Sequence, residues 1–222
     1  MSLAGTYDYQ EEWLLDTPEL KVFIDAVNQI RTTAESPQAA VTAIRPNFET
    51  LLNNPDWLPE EFQQPATLPG GMGRKTGMWL LYRSGDGGLA FSALVLSPGT
   101  KTPVHNHLAW GLVGLYKGLQ SEVVFERTDD GSSDGHAQLV VSEENKLTPG
   151  DFYELMPEND IHQVETTSNE VSVSLHLLGN DNGCIWRHQF KPEEDAVVPF
   201  KSGWLNTECR DYAEAHSHDH SH

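Results

Sequence analysis

Apolar residues recur at helical spacing through the first third of the chain and change to strand-like runs from about residue 78 onward. Leu20, Phe23, Ile24, Val27 and Ile30 share one face of a 3.6-residue period, and Thr17-Pro18 before them suits an N-cap and first turn. Ser36-Pro37 opens a second helix in the same way, running toward Arg45. Pro46 is predicted to stop or kink it, because proline has no N–H to give to the preceding turn. Phe48, Leu51 and Leu52 predict one more helical stretch. A Pro-containing segment from Pro55 to Pro69 follows, and Gly70, Gly71 and Gly73 mark a turn into the second regime.

Residues 78–83 and 89–97 flank Gly85-Asp86-Gly87-Gly88, a strong hairpin signal. Further strands are predicted over 110–116, 121–127, 137–142, 152–155, 162–166, 171–178 and 184–190. Turn residues separate them roughly every ten positions, which suggests an antiparallel sandwich or barrel. No internal repeat and no long linker is visible, and the helical part is too short to stand alone. The expectation is therefore one mainly β domain over 1–222. A helical cover occupies 1–75, the barrel 76–200, and a disordered histidine-rich tail 210–222.

Composition narrows the partners. The 222 residues carry 14 Lys and Arg against 33 Asp and Glu, a formal charge of −19. Such a surface repels nucleic acid and anionic membranes. No apolar run approaches the ~18 residues of a membrane span. The start, MSLAGTYDYQEEW, lacks the basic and apolar regions of a signal peptide, so a cytoplasmic location is expected. Two cysteines, Cys184 and Cys209, give no disulfide framework; a reducing compartment follows, with Cys184 assigned to packing. The scarcity of cations means that an anionic substrate would need a local anchor, which makes each arginine near a candidate site informative. From Glu214 to His222 histidine alternates with small or acidic residues, a pattern that suits metal scavenging but is more simply a disordered terminus.

Three other histidines carry the chemistry. His105 and His107 are two apart, so on an extended strand both side chains leave the same face. His162 lies in a second strand-like segment. Two ligands from one strand and a third from another, all pointing into a barrel, is a rigid way to hold one metal ion. His136 and His188 read as structural or exposed.

The spacing around these histidines resembles the cupin superfamily. The first cupin motif appears as Gly99, five residues, His105-Asn106-His107, three residues, Gly111, six residues, Gly118. The second appears as Gly150, six residues, Pro157-Glu158-Asn159, two residues, His162, with one extra residue before Pro157 and asparagine in place of the usual glycine. Cupins usually have a glutamate ligand where Gly111 stands, so the resemblance implies a double-stranded β-helix (jelly-roll) barrel with a three-histidine site. Within the cupins the chain looks like the thiol dioxygenase branch, the cysteine and 3-mercaptopropionate dioxygenases, over approximately 78–190. The segment from Pro103 to Gly114 is similar to the bacterial members. Gly111 stands where animal cysteine dioxygenases have a cysteine that cross-links to tyrosine, so that cross-link is ruled out. Ser174 and His176 match the first two members of the branch's Ser-x-His-x-Tyr relay, and Leu178 stands in place of the tyrosine. Arg187, nine residues beyond Leu178, matches the arginine that anchors the substrate carboxylate in the mercaptopropionate branch. Arg83 resembles the cysteine-dioxygenase anchor, and Trp110 is a candidate for lining the pocket.

The resemblance implies a non-haem Fe(II) dioxygenase converting a small thiol carboxylate to its sulfinate, with O2 and the small molecule as partners. Imidazole ligands also accept Zn, Ni, Mn or Cu. Because Leu178 departs from the relay, a three-histidine cupin of other chemistry (diketone cleavage, or a redox-neutral lyase or isomerase) and a non-catalytic metal-dependent binding cupin are the alternatives. Oligomeric state is left open.

Overall fold

The computed structural model describes residues 3–66 and 75–213, so the glycine-rich turn at 70–73 and the tail from 214 lie outside the described residues. In chain order the elements are β1 (Glu12–Trp13), α1 (Pro18–Thr33), α2 (Pro37–Leu52), β2 (Thr76–Arg83), β3 (Ala90–Leu96) and β4 (Val104–His105). They continue with β5 (Gly111–Lys117), β6 (Gln120–Arg127), β7 (Leu139–Leu147), β8 (Phe152–Leu155), β9 (Ile161–Thr166), β10 (Ser172–Leu178), β11 (Arg187–Lys191) and β12 (Ala196–Phe200).

The strands form two antiparallel sheets, in the order β1-β2-β3-β10-β5-β8 and β12-β11-β4-β9-β6-β7. Within them the eight strands from β3 to β10 follow the jelly-roll order, β3-β10-β5-β8 in one sheet and β4-β9-β6-β7 in the other. The cupin-type fold expected from the sequence is therefore the fold observed. The sheets meet at one end through apolar contacts of Leu94 and Leu96 with Val164. Thr166 Oγ1 lies 2.7 Å from Ser172 Oγ, and Gln120 Nε2 donates to the same hydroxyl at 2.9 Å.

Alternation along β3 and β10 sorts the side chains. Phe91, Ala93, Val95, Val173, Leu175 and Leu177 leave one face of the sheet and pack under the helices in the largest core cluster. Ser92, Leu94, Ser174, His176 and Leu178 leave the other face, toward the second sheet. The helices cover the outer face with Leu20, Phe23, Ile24, Val27, Ile44 and Phe48. Phe23 and Phe48 meet in a tilted arrangement at 6.2 Å between ring centroids, and Phe48 meets Phe152 of β8 at 5.6 Å. A Cβ at Gly114 of β5 would stand 2.7 Å from Leu52 Cδ2, so glycine is what lets α2 lie this close to the sheet.

The structure corrects several expectations. Pro46 does not end a helix: α2 runs through it, because Pro46 lies on the exposed side and the carbonyl left without an N–H partner stays in water. Ser36 caps α2, accepting from Ala39 N at 3.1 Å, whereas the Thr17 hydroxyl makes no cap bond. The last predicted strand begins at Arg187 rather than residue 184, and β1 and β12 were not foreseen. The two cysteines, expected to remain reduced, are joined in a Cys184–Cys209 disulfide. The cause is tertiary: the segment after β12 returns along β2, with Leu205 N donating to Met78 O and Gly203 N to Gly183 O. No helix among the described residues is long and apolar enough to cross a membrane.

Phe48 is fully buried between α1, β5 and β8, so Phe48→Ala leaves a cavity under both helices. It should cost about 3–5 kcal/mol of unfolding free energy. Urea denaturation of the two proteins measures the difference.

Candidate metal centre

The pairing of β4 with β9 places His105 directly opposite His162. His107 lies two residues past the end of β4, not on a continuous strand as the spacing suggested. Its position is set by Asp160, whose Oδ2 accepts from His107 N and Leu108 N, each at 2.7 Å. The chain then turns at Leu108, a non-glycine residue at φ 56°. Burial pushes the Asp160 carboxyl up to about 6, against the pull of these two backbone donors.

The three imidazoles pack with ring centroids 4.8–4.9 Å apart, and their candidate ligand nitrogens lie within 4.8 Å of one another. Each ring has its Nδ1 against an acceptor. His105 Nδ1 faces Pro103 O at 2.7 Å, His107 Nδ1 faces Asp160 O at 3.3 Å, and His162 Nδ1 faces Glu122 Oε1 at 2.7 Å. With Nδ1 carrying the proton, each Nε2 presents a lone pair. Burial holds His105 and His107 far below the usual histidine range, with the neighbouring rings and Arg187 adding to the effect, so both are neutral donors. His162 Nε2 is buried and has no hydrogen-bond partner among the described residues. An orphaned buried acceptor beside two other free imidazole nitrogens fits a divalent cation, which would satisfy all three.

Glu122 and Tyr153 back His162. Burial alone would raise the Glu122 carboxyl, but hydrogen bonds from His162 and from Asn145 at 3.2 Å outweigh it and hold the group below its ordinary value. The Tyr153 hydroxyl bonds the same carboxylate and lies 3.3 Å from His162 Nδ1. Neither residue stood out in the sequence, because a lone glutamate in a strand and a tyrosine nine residues before a histidine carry no periodic signal. Asp160, two residues before His162, was missed for the same reason.

A cavity of about 360 Å³ opens beside His105 and His107 and is also lined by His176, Leu178 and Arg187. His176 Nε2 lies 2.9 Å from Ser174 Oγ, as expected of two residues on one face of β10, and burial lowers His176 to about 3, keeping it neutral. Leu178 sits opposite Gly111. A Cβ at Gly111 would be 2.7 Å from Leu178 Cδ2, so position 111 has no room for a carboxylate ligand.

Arg187 is 4% exposed. It donates from Nε to Asn182 O at 3.2 Å, from Nη1 to Asn106 O at 2.9 Å and from Nη2 to Ser202 Oγ at 3.3 Å, and it lies over the Phe200 ring. No carboxylate forms an ion pair with it among the described residues. Burial pulls its pKa down to about 10, which still leaves it cationic at neutral pH.

Arg83 and Trp110 are not brought to the cavity. The Arg83 guanidinium is consumed by Glu12 at 2.7 Å, Asp181 at 3.0 Å and Glu208 O at 3.0 Å. Trp110 packs into the core cluster under the helices. His188 is exposed, 3.1 Å from the Asn106 side chain, and His136 bridges to Ala196.

Replacing any of His105, His107 or His162 with Ala should abolish stoichiometric metal binding by protein lacking the histidine-rich tail. Glu122→Gln keeps an acceptor for His162 Nδ1 but removes its charge, and should weaken metal affinity about tenfold. Competition with a chromophoric chelator measures both effects, and circular dichroism checks that the fold survives.

No family model matches the chain. Among solved structures it is similar to an oxalate oxidase, at 14% identity and TM-score 0.39, over 53% of this chain and 56% of that one. It is also similar to oxalate decarboxylase from Bacillus subtilis, at 23% identity and TM-score 0.32, over 43% of this chain and 22% of that one. A third is the Cupin_2 domain of an XRE family transcriptional regulator from Enterobacter cloacae, at 14% identity and TM-score 0.33, over 47% of this chain and 96% of that domain. The match thus spans little more than half of the oxidase and about a fifth of the decarboxylase.

Proposed function

We propose that the protein is an Fe(II)-dependent dioxygenase that oxidises the sulfur of a small thiol carboxylate to a sulfinate, with both oxygen atoms coming from O2. The observation that carries this reading is a buried guanidinium, with no carboxylate ion pair among the described residues, lining the cavity that His105 and His107 of the three-histidine donor set also line. A buried charge that only a more distant Asp160 and the Phe200 ring offset is costly, and an anionic ligand group in direct contact would offset that cost further. Arg187 supplies the charge and planar donors that suit a carboxylate.

The remaining groups divide the work. His105, His107 and His162 would hold iron, which when bound supplies redox activity and Lewis acidity toward a thiolate and O2. Three neutral ligands leave the ion its full charge, which favours an anionic sulfur. Arg187 orients the carboxylate end of the substrate. His176, neutral and hydrogen-bonded to Ser174, offers a fixed polar group at the cavity wall. Leu94, Leu96 and Leu178 supply apolar wall that limits water around the reacting sulfur. Leu178 cannot donate a hydrogen bond, so any proton needed there comes from His176 or solvent rather than from a phenol.

Iron-loaded protein should consume O2 on addition of 3-mercaptopropionate and form its sulfinate. Metal binding without O2 uptake across a panel of small thiols would favour a binding role instead. Arg187→Ala should lower kcat/KM roughly 30- to 1000-fold for the thiol carboxylate and much less for the matching uncharged thiol. Arg187→Lys should recover only part of the loss, since an ammonium is not a fork. Because Arg187 also ties down Asn106 O and Asn182 O, the ratio between the two substrates is the readout. Equal penalties for both would mean that Arg187 does not read the carboxylate.

A further inference from the structure

Residues 200–205, which are the last residue of β12 and the segment after it, form part of the cavity wall. This segment is held to β2 and the loop before β11 by Gly203 N to Gly183 O at 2.7 Å, Leu205 N to Met78 O at 2.8 Å and Trp204 Nε1 to Asp181 Oδ1 at 2.7 Å. Asn206 exchanges hydrogen bonds with both backbone groups of Leu80. Four residues beyond Leu205 comes the one covalent fastening, Cys184–Cys209.

The two sulfurs are in unlike surroundings. Cys209 is an exposed residue whose Sγ lies 3.6 Å from Gly183 O, whereas Cys184 is 2% exposed. Arg83 Nη1 points at Cys184 Sγ from 3.8 Å. In thiol–disulfide exchange the accessible sulfur is attacked, and the reaction is faster when the departing thiolate is stabilised. Arg83, although also paired with Glu12 and Asp181, presents an N–H to Cys184 Sγ, where it stabilises negative charge developing on the departing sulfur.

The geometry points to Cys184–Cys209 as a thiol-exchange site for small-molecule thiols, attacked at Cys209, that loosens the C-terminal wall of the cavity. The thiolate of a small thiol forms a bond to Cys209 Sγ as the Cys209–Cys184 bond breaks, and the electron pair leaves on Cys184 Sγ beside Arg83. A second thiol then attacks the mixed disulfide, releasing Cys209 as a thiolate and forming the external disulfide. Two electrons pass from the two thiols to the protein, and their two protons are available to the two cysteines. Once the link is open, residues 200–212 are held by hydrogen bonds and by the packing of Trp204 and Tyr212 against Leu80, Ala90, Tyr7 and Tyr9, with no covalent fastening. This inference does not depend on what reaction the metal cavity performs.

The test uses the full chain in native buffer. Oxidised protein is exposed to reduced glutathione, quenched by alkylation and mapped by peptide mass spectrometry. The mixed disulfide is expected on Cys209, with Cys184 alkylated as the free thiol. Fully reduced protein should show amide exchange at Gly203 and Leu205 about tenfold or more faster, with β5 and β10 unchanged. Cys209→Ser should show the same increase without any reductant. An adduct on Cys184 would overturn the assignment, as would a disulfide that resists glutathione until urea unfolds the protein. Unchanged exchange at Gly203 and Leu205 in both the reduced protein and Cys209→Ser would show that the link does not hold the wall.

Discussion

The sheet containing β10 must be buried on both faces, and the site depends on how that is achieved. A strand covered on one side only would expose its alternate residues to water and would have to make them uniformly polar. Here α1 and α2 roof the outer face with aliphatic and aromatic side chains. That frees the inner residues of β10 to serve the cavity, and all seven positions of the strand are buried. The roof fits because Gly114 allows α2 to approach β5 closely. Packing energy under the helices thus supports polar groups on the opposite side of the same strands, where packing alone would not favour them.

Electrostatics inside the cavity are unbalanced. His105 and His107 are neutral donors, Glu122 is spent on His162, and Asp160 is spent on two backbone amides. Among the described residues Arg187 hydrogen-bonds carbonyl and hydroxyl oxygens and lies over the Phe200 ring, with no carboxylate in ion-pair contact. In a chain of net charge −19 this is a small positive interior inside an acidic shell. A positive interior of this kind is what the proposed anionic substrate would require.

What the sequence made legible was local. Strand periodicity and turn chemistry located most strands within a residue or two, since alternation and glycine-rich turns act over a few positions. The ligand histidines were legible because two of them are neighbours in the chain and the third follows a recognisable turn. The groups that orient them were not. Asp160 and Glu122 acquire their roles only when β4 pairs with β9 and β9 with β6, contacts made across 40 residues or more. The disulfide was hidden for a similar reason, because nothing local says that Cys209 returns to β2. Arg83 shows the opposite failure: a sound local resemblance was overridden by Glu12 and Asp181, which reach it from distant parts of the chain.

The return of the C-terminal segment also sets an order of assembly. Tyr9 bonds Asp211 O, and Thr207 bonds Glu12, so early and late segments close over each other. During synthesis all three ligand histidines emerge well before residues 200–212, which complete the wall. The cavity wall is thus the last part of the chain to be made, and because the contacts that hold it span nearly the whole sequence they are of the kind that form slowly.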